Sequence, residues 1–236
     1  MIEHSSRTAL ITGVSRGLGL ALARRLVRDG WTLIIDARGA EALEAVRTEL
    51  AELSRVIAIP GDVTDEEHRR ALAEAAREAG GLDALVNNAS ILGPSPQPQL
   101  LDYPLDVLEE VYRANTVAPL ALVQAVQREF KPGARILNIT SDAGVEPYPG
   151  WGGYGSSKAA LEHLSAILAA ENPSLRVYWV DPGDMRTQMH QEAFPGEDIG
   201  DRPLPEESVP GLIELLEGDL PSGRYEARAL IHIKEG

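Results

Sequence analysis

The stretch TALITGVSRGLGLALARRL, from Thr8 to Leu26, constrains the fold more than any other part of the sequence. A short apolar and β-branched run leads into a turn that contains Gly13, Gly17 and Gly19, and an apolar helical pattern follows at once. Because a tight turn needs only a single glycine, this set indicates a further requirement for bare backbone. A strand, a glycine turn and a helix N-terminus in this order place backbone amides and the positive end of the helix dipole against a phosphate group. A tight strand-to-helix turn without a ligand is the alternative.

Strand and helix patterns alternate along the rest of the chain. The predicted strands are near-continuous apolar runs, at Thr8–Thr12, Trp31–Ala37, Arg55–Ile59, Leu82–Asn88, Ala134–Thr140, Leu175–Val180 and near Arg224–Ile233. The predicted helices cover Gly17–Asp29, Ala40–Leu53, a segment from about Thr64, Pro104–Phe130, Gly155–Glu171 and Pro205–Leu216. The pattern predicts an α/β fold, a doubly wound, Rossmann-like parallel sheet of about seven strands with helices on both faces. Neither a repeat nor a linker interrupts it, so residues 1–236 are expected to form one domain.

Two segments are too rich in proline and glycine for helix or strand, and each follows the end of a predicted strand. They are 90–99, SILGPSPQPQ, and 185–205, which includes MHQEAFPGEDIGDRPLP. Ligands of open α/β sheets bind outside the carboxyl ends of the strands. These segments are therefore predicted to form the substrate loops.

Charge and composition exclude several classes of function. The formal net charge of −14 argues against nucleic-acid binding, which depends on lysine and arginine at the phosphates. The absence of cysteine excludes disulfides, thiolate metal sites and a cysteine nucleophile. No cluster of histidines or carboxylates has ligand spacing, so no metal is expected. No apolar run is long enough to span a bilayer, and the first residues, MIEHSSR, lack the pattern of a signal peptide, so we expect a cytoplasmic protein without membrane contact.

Several motifs in a fixed order resemble one family. TGVSRGLG resembles the TGxxxGxG signature of the short-chain dehydrogenase/reductase family, in its compact single-domain branch. The resemblance continues through NNAS at 87–90, an asparagine in RANTVAPLAL, NITSDAG, YGSSK and DPGDMRT at 181–187. It covers the chain from Thr8 to about Thr187 and is weaker beyond. One departure is Ser90, which replaces the usual glycine of NNAG.

Ser141, Tyr154 and Lys158 are the candidate catalytic side chains. The tyrosine and the lysine are four residues apart, so on a helix they share one face. A nearby ammonium group favours the phenolate and is expected to lower the phenol pKa from about 10 towards a useful range. Ser141 ends a strand at the same sheet edge, where its hydroxyl can hydrogen-bond a carbonyl oxygen that gains charge as a hydride arrives. An ordinary surface Tyr–Lys pair with an N-capping serine is the alternative.

The resemblance implies an enzyme that transfers a hydride reversibly between a nicotinamide and a carbonyl or secondary alcohol carbon. It also implies that Lys158 binds the nicotinamide ribose and that Asn115 helps a water to carry protons towards solvent. The residues that it implies at the dinucleotide are Gly13, Ser15, Arg16, Gly17, Leu18, Gly19, Arg38, Asp62, Val63, Asn88, Ala89, Tyr154, Lys158, Pro182, Gly183, Met185 and Thr187.

The end of the second strand, GWTLIIDARG, bears on which nicotinamide is used. Family members that use NAD carry an acidic residue here, at the position that our alignment gives to Ala37. Arg38 stands where NADP-dependent members carry an arginine, and Arg16 is a second basic residue for a 2′-phosphate. NADP(H) is therefore favoured over NAD(H). Asp36 is the alternative, as the ribose partner of an NAD-dependent alcohol dehydrogenase.

The substrate pocket is expected to be mainly apolar and aromatic, which suits an apolar or ring-bearing carbonyl compound. Its predicted walls include Ile91, Leu92, Tyr148, Trp151, Met185, Met189, His190 and Phe194. A non-catalytic dinucleotide-sensing protein on the same fold is a further alternative, although such proteins commonly lose the tyrosine or the lysine. The resemblance implies a homodimer or a homotetramer.

Overall fold

The computed structural model describes residues 7–234, and seven parallel strands form one sheet in it. The strand order is β3-β2-β1-β4-β5-β6-β7. The strands are β1 Thr8–Ile11, β2 Thr32–Ala37, β3 Val56–Pro60, β4 Leu82–Asn87, β5 Phe130–Ile139, β6 Arg176–Asp181 and β7 Gly223–Glu226. The order reverses between β1 and β4, as in doubly wound folds, and the predicted fold class is confirmed.

Eight α-helices connect the strands in the described part of the chain. They are α1 Gly17–Arg28, α2 Ala40–Leu50, α3 Glu66–Glu78, α4 Leu105–Tyr112, α5 Ala118–Val126, α6 Gly152–Glu171, α7 Gln188–Ala193 and α8 Val209–Glu217. The third begins where the sequence places acids, because the side chain of Asp65 accepts a hydrogen bond from the Glu67 amide and caps it.

The core forms two layers, one on each face of the sheet. Alternating residues of a strand point to opposite faces, so Ile11 packs in the layer with α1, α2 and α8, whereas Leu10 packs in the layer with α3 and α5. Beyond the last residues of β1 and β4 the chain leaves these layers and borders an open cleft, at Gly13, Asn88 and Ala89.

The helix predicted over Pro104–Phe130 is interrupted, so that expectation was wrong in its middle and at its end. A π-helical segment, Arg113–Val117, separates α4 from α5, and a short 3₁₀ turn, Gln127–Glu129, ends the helical region. Asn115 lies in the π segment, and its side chain binds the backbone of a neighbouring loop rather than solvent. Such wide turns occur frequently at functional sites.

The C-terminal region also differs from the prediction. The last strand is short and is followed by a 3₁₀ segment, Ala229–Lys234, where the sequence pattern predicted strand up to Ile233. The segment 185–205, predicted as a loop, contains α7, whose N-terminus Thr187 caps through a hydrogen bond from the amide of His190. The residues of α7 have no strong helix pattern in the sequence. The Thr187 cap stabilises this short helix, and its residues border the cleft.

Candidate active site

A cleft of about 1140 Å³ opens at the carboxyl ends of the central strands. Residues of the glycine turn, of both predicted substrate loops and of α6 line it. The residues that the resemblance implies at a dinucleotide border this cleft, with the exception of Gly19, which packs against the Gly13 carbonyl and the Asn88 side chain. The bordering residues are Gly13, Ser15, Arg16, Gly17, Leu18, Arg38, Asp62, Val63, Asn88, Ala89, Tyr154, Lys158, Pro182, Gly183, Met185 and Thr187. The structure therefore brings together residues that are far apart in the sequence.

The backbone conformation or the packing of the turn explains why each of its three glycines lacks a side chain. Gly13 and Gly17 have positive φ angles of 71° and 60°. A Cβ at Gly13 would lie 2.9 Å from the Cα of Ala89, and a Cβ at Gly19 would lie 2.6 Å from both the Gly13 carbonyl oxygen and the Asn88 amide nitrogen. A Cβ at Gly17, in contrast, would meet only the Thr187 methyl carbon at 3.7 Å, an ordinary van der Waals distance. Two glycines thus allow close packing of backbone, and the third leaves room in the cleft.

The N-terminus of α1 fits an anionic group. Arg16 occupies the N-cap position without a side-chain cap, and the first turn contains no acidic residue. The first amides of the helix therefore lack a side-chain acceptor, which is the donor arrangement that binds phosphate. Leu18 can offer only its backbone here, since its side chain is buried in the core.

Two arginines border this end of the cleft. The guanidinium of Arg16 donates to the side-chain oxygen of Gln188 at 2.6 Å, which links the glycine turn to α7. Arg38 follows β2 directly and is exposed, and no residue within 7–234 forms a hydrogen bond or ion pair with its side chain. Burial alone would raise the pKa of the Asp62 carboxyl group, but hydrogen bonds from Thr64, and to a smaller extent the charge of Arg38, lower that pKa overall.

Asp36 is buried and bound within the protein. One carboxylate oxygen accepts a hydrogen bond from the Gly13 amide at 2.8 Å, and the other lies 3.0 Å from the Nε2 atom of His68. Only 1% of Asp36 is exposed, and burial raises the pKa of its carboxyl group. One oxygen thus holds the glycine turn, and the other contacts His68 on α3. Sequence reasoning missed His68, because no local pattern connects it with a strand 32 residues earlier.

The Thr12 hydroxyl ties the end of β1 to the end of β4. It accepts hydrogen bonds from the amides of Asn88 at 3.0 Å and Ala89 at 2.9 Å, while the Asn88 side chain donates to the Thr12 carbonyl at 2.8 Å. This fixes the backbone that the glycine turn packs against. Thr12 was not among the predicted site residues, although its position directly before the glycine turn could have indicated it.

The segment after β6 is fixed by its own backbone contacts. The amide of Gly183, at a φ of 75°, donates to the Asp181 carboxylate at 2.8 Å. Arg228 donates to the carbonyls of Pro182 at 3.2 Å and Asp184 at 2.8 Å. This segment therefore forms a rigid wall of the cleft, opposite the glycine turn.

Ser141, Tyr154 and Lys158 face the same part of the cleft. Ser141 follows β5, and its hydroxyl donates to Asp142 at 2.9 Å. Tyr154 and Lys158 lie on α6, with the lysine nitrogen 5.4 Å from the centroid of the phenol ring. Lys158 is 2% exposed, and its ammonium group donates to the Ile139 carbonyl at 2.8 Å.

The expected acidification of Tyr154 is not found in this structure. Burial raises the pKa of the Tyr154 phenol, and the carboxylates of Asp181 and Asp142 raise it further, whereas hydrogen bonds with Ser141 and Ser90 lower it. Burial also lowers the pKa of Lys158 to about 7. Sequence reasoning counted the ammonium group but not the loss of water around both groups, which dominates.

Asn115 is fully buried, and its side chain is saturated with hydrogen bonds. Its oxygen accepts from the Ser90 hydroxyl and the Ile91 amide, each at 2.9 Å. Its nitrogen donates to the Ile91 carbonyl at 2.9 Å and to the Ser157 hydroxyl at 3.1 Å. The side chain thus joins the loop after β4 to α6, and it has no donor or acceptor left for a water.

The outer part of the cleft has an aromatic wall. The rings of Trp151 and Tyr154 are 5.8 Å apart. Phe194 was also expected in this wall, but it does not border the cleft and packs against Trp151 at 5.9 Å and His190 at 4.9 Å. Tyr148 was expected in this wall, but it is 44% exposed, does not border the cleft and donates to Asp142 at 3.1 Å.

Other predicted wall residues do border the cleft: Ile91, Leu92, Trp151, Met185, Met189 and His190. Carboxylates that the sequence did not single out border it as well: Glu110, Asp142, Asp184 and Glu192. Charged side chains of both signs therefore border the pocket, which is less apolar than predicted.

A family model described as short chain dehydrogenase matches residues 7–198. The chain belongs to the short-chain dehydrogenase/reductase family. It is 38% identical over 176 residues to a short chain dehydrogenase of Penicillium thymicola, a match that covers 70% of this chain and 63% of that protein. It is 33% identical over 196 residues to a benzil reductase ((S)-benzoin forming) of Saccharomyces cerevisiae, with 79% and 74% covered.

A solved structure gives the same result for the fold. The structure of a short chain dehydrogenase from Shigella flexneri complexed with NADP has a TM-score of 0.86 to this chain at 28% identity, covering 94% of this chain and 97% of that one. As a short-chain dehydrogenase/reductase, the chain is an NAD(P)-dependent oxidoreductase. None of the helices described between residues 7 and 234 has the length and apolar character needed to cross a membrane.

Proposed function

We propose that this short-chain dehydrogenase/reductase is an NADPH-dependent ketone reductase acting on an apolar or ring-bearing carbonyl compound. The observation that carries the proposal is the single cleft in which the Tyr154 and Ser141 hydroxyls lie beside an uncapped helix N-terminus with a glycine turn. The relatives include a benzil reductase, which supports a ring-bearing ketone. The aromatic wall formed by Trp151 and its neighbours supports the same substrate class.

The catalytic roles follow from the chemistry of the three side chains. A bound nicotinamide supplies the hydride. Tyr154 is protonated at neutral pH because burial raises its pKa, so it can donate a proton to the substrate oxygen as charge develops there. Ser141 donates a hydrogen bond to the same oxygen after turning from Asp142. Lys158 orients the nicotinamide ribose from the base of the cleft.

Asn115 acts as a structural link in this proposal. Its saturated side chain holds the loop after β4 against α6, so the proton path to solvent does not pass through that side chain. The remaining proposed contacts to the dinucleotide are those of the glycine turn, of Asp62 and Val63 to the adenine, of Asn88 and Ala89 after β4, and of the segment from Pro182 to Thr187.

The preference for NADP(H) rests on the end of β2. Arg38 is exposed at the cleft, and no described residue pairs with its guanidinium, which suits a 2′-phosphate. Asp36 is engaged with the Gly13 amide and His68, which argues against its use as a ribose partner. The Shigella flexneri structure that contains NADP supports the same choice.

The test is the oxidation of NADPH, followed by its absorbance, with a panel of aryl, cyclic and aliphatic ketones. Activity on an apolar or aryl ketone that Tyr154→Phe abolishes would support the proposal. Tyr225→Phe is the matched control, because that hydroxyl binds the Pro221 carbonyl far from the cleft. Faster turnover with NADH would favour the NAD-dependent alcohol dehydrogenase, and dinucleotide binding without turnover of any compound would favour the sensor. The homodimer or homotetramer and the cytoplasmic location stay predictions, and sedimentation of the purified protein tests the first.

A further inference from the structure

An arginine near the C-terminus holds the segment that follows β6. Arg228 lies two residues beyond β7 and outside the range 7–198 that the family model matches. Its Nε atom donates to the Pro182 carbonyl at 3.2 Å, and its Nη2 atom donates to the Asp184 carbonyl at 2.8 Å. Arg228 itself does not border the cleft, whereas Pro182 and Asp184 do. One guanidinium therefore fixes two carbonyls of the cleft wall from behind.

The orientation of the Asp184 carbonyl depends on Arg228. The Pro182 carbonyl has a second donor, the hydroxyl of the buried Ser208 at 2.7 Å. The Asp184 carbonyl has no other donor among residues 7–234. Gly183 lies between the two carbonyls, and a Cβ there would overlap the guanidinium of Arg228. The segment is thus built for close contact with this arginine.

The direction of the Asp184 carbonyl sets the direction of the next amide. Because a trans peptide bond is planar, the N–H of Met185 points opposite to that carbonyl and therefore away from Arg228. Met185 borders the cleft, and no described residue accepts a hydrogen bond from its amide. This N–H is therefore a donor on the cleft side of the segment.

The order of the strands places this donor beside the nicotinamide half of a dinucleotide. Arg38, the proposed partner of the 2′-phosphate, follows β2, whereas Ser141, at the proposed reacting end, follows β5. In the sheet β6 is the neighbour of β5 on the side away from β2. A dinucleotide that extends from Arg38 to Ser141 therefore reaches the segment after β6 with its nicotinamide end.

We propose that Arg228 is a positioning residue for the cofactor, which turns the Met185 N–H towards the carboxamide of the nicotinamide by holding the Asp184 carbonyl. The inference rests on the placement of the dinucleotide in the proposed function. Arg228 contacts neither the cofactor nor the substrate. Its loss should act on the nicotinamide half of the dinucleotide alone, whereas a general loosening of the fold would act on both halves.

Two ligands separate these effects. NADPH carries the nicotinamide, and 2′-phospho-ADP-ribose has the same adenosine, pyrophosphate and ribose without it. In calorimetric titrations Arg228→Ala should weaken binding of NADPH about tenfold, the effect of one hydrogen bond, and leave binding of 2′-phospho-ADP-ribose unchanged. Arg176→Ala is the matched control, because that arginine lies at the amino end of β6 and pairs with Asp219 at 3.6 Å. Equal weakening of both ligands by Arg228→Ala, or of neither, would overturn the proposal.

A second measurement observes the amide itself. The chain contains three methionines, so ¹⁵N-methionine labelling gives a spectrum with few signals, and Met185→Leu identifies the signal of residue 185. NADP⁺ should shift this signal in the wild type but not in Arg228→Ala, and an equal shift in both would overturn the proposal. If Arg228→Ala does not fold, Arg228→Lys provides the comparison, because a single ammonium group cannot reproduce the guanidinium fork that reaches two carbonyls.

The outcome for Arg228 is separate from the outcome for the reductase assignment. Both measurements need no ketone, and NADH with ADP-ribose gives the same comparison if the enzyme prefers NAD. A chain that reduces no ketone but shows the selective loss of affinity would refute the reductase assignment and retain the role of Arg228. A ketone reductase with normal NADPH affinity in Arg228→Ala would do the reverse.

Discussion

Lys158 and Tyr154 lie one helical turn apart on α6, with the lysine nitrogen 5.4 Å from the centroid of the phenol ring. Both groups are buried, which raises the pKa of the phenol and lowers that of the amine to about 7. At neutral pH the tyrosine is therefore protonated, and the lysine is close to its midpoint. This state suits donation of a proton by the tyrosine, the direction required for reduction of a carbonyl.

Lys158→Met should stabilise the folded chain at neutral pH while it removes activity. The lysine has a pKa of about 7 in the folded chain and about 10.4 when unfolded, so the unfolded state binds more protons between these values. Stability from this group is therefore lost as pH falls from about 10.4 to about 7, by an amount on the order of a few kcal/mol. Urea unfolding at several pH values should show a stability that rises with pH in the wild type and a flatter curve in Lys158→Met.

Lys131→Met is the control for this experiment. That lysine is only partly buried and forms an ion pair with Asp83 at 2.7 Å, so its replacement should leave the rise of stability with pH in place. Equal slopes in the wild type and in Lys158→Met would show that the buried amine does not lose its charge on folding.

Arg38→Asp should weaken binding of NADPH far more than binding of NADH. The substitution removes a charge-assisted hydrogen bond to a 2′-phosphate and adds a repelling carboxylate, so a loss of about 100-fold for NADPH is expected. Fluorescence titration with each dinucleotide measures the ratio. Arg128→Asp makes the same charge change at an exposed position before β5, at the amino ends of the strands and away from the cleft, and should alter neither affinity. Equal losses for both dinucleotides in Arg38→Asp would refute the assignment.

Features that depend on a local pattern could be predicted from the sequence. Features that depend on contacts between residues far apart in the chain could not. The glycine turn could be predicted, because the chain needs bare backbone at Gly13 and Gly19 whatever else surrounds them. The apolar periodicity did not show the break at Asn115, where the resemblance places a helix-kinking asparagine. The pattern continues through this residue, and the hydrogen bonds that hold the wide turn come from Ile91. The fold class and the family were confirmed for the same reason as the turn: the motifs are local and occur in order.

The predicted pKa of the candidate catalytic tyrosine was the least accurate part of the sequence analysis. Spacing correctly placed Tyr154 and Lys158 on one face, yet it gave the wrong direction for the phenol pKa. Burial is a property of the assembled protein, and a sequence shows only which charges are near one another. For the same reason the sequence left Asp36 open as a ribose partner, since its contact with His68 joins β2 to α3.

Gly19→Ala should lower both stability and dinucleotide affinity. The added Cβ would lie 2.6 Å from the Gly13 carbonyl oxygen, so α1 must shift away from the turn that cradles the phosphates. A cost of about 1–3 kcal/mol is typical of such overpacking, and thermal unfolding with and without NADPH measures it. Gly39→Ala is the control, because a Cβ there meets only the Ala42 Cβ at 3.9 Å. A stable Gly19→Ala variant with normal affinity would contradict the close packing described for this turn.

Asp36→Ala distinguishes the two roles that its position at the end of β2 allows. In the structure its carboxylate holds the Gly13 amide at 2.8 Å and His68 at 3.0 Å, so its loss leaves a buried amide and a buried ring without their partner. The expected result is a destabilisation of about 1–3 kcal/mol and equal weakening of NADPH and NADH, since the glycine turn serves both. Asp36→Asn should lose less, because its amide oxygen can still accept from Gly13. A selective loss of NADH binding in a normally stable Asp36→Ala protein would instead make Asp36 the ribose partner and NAD the cofactor.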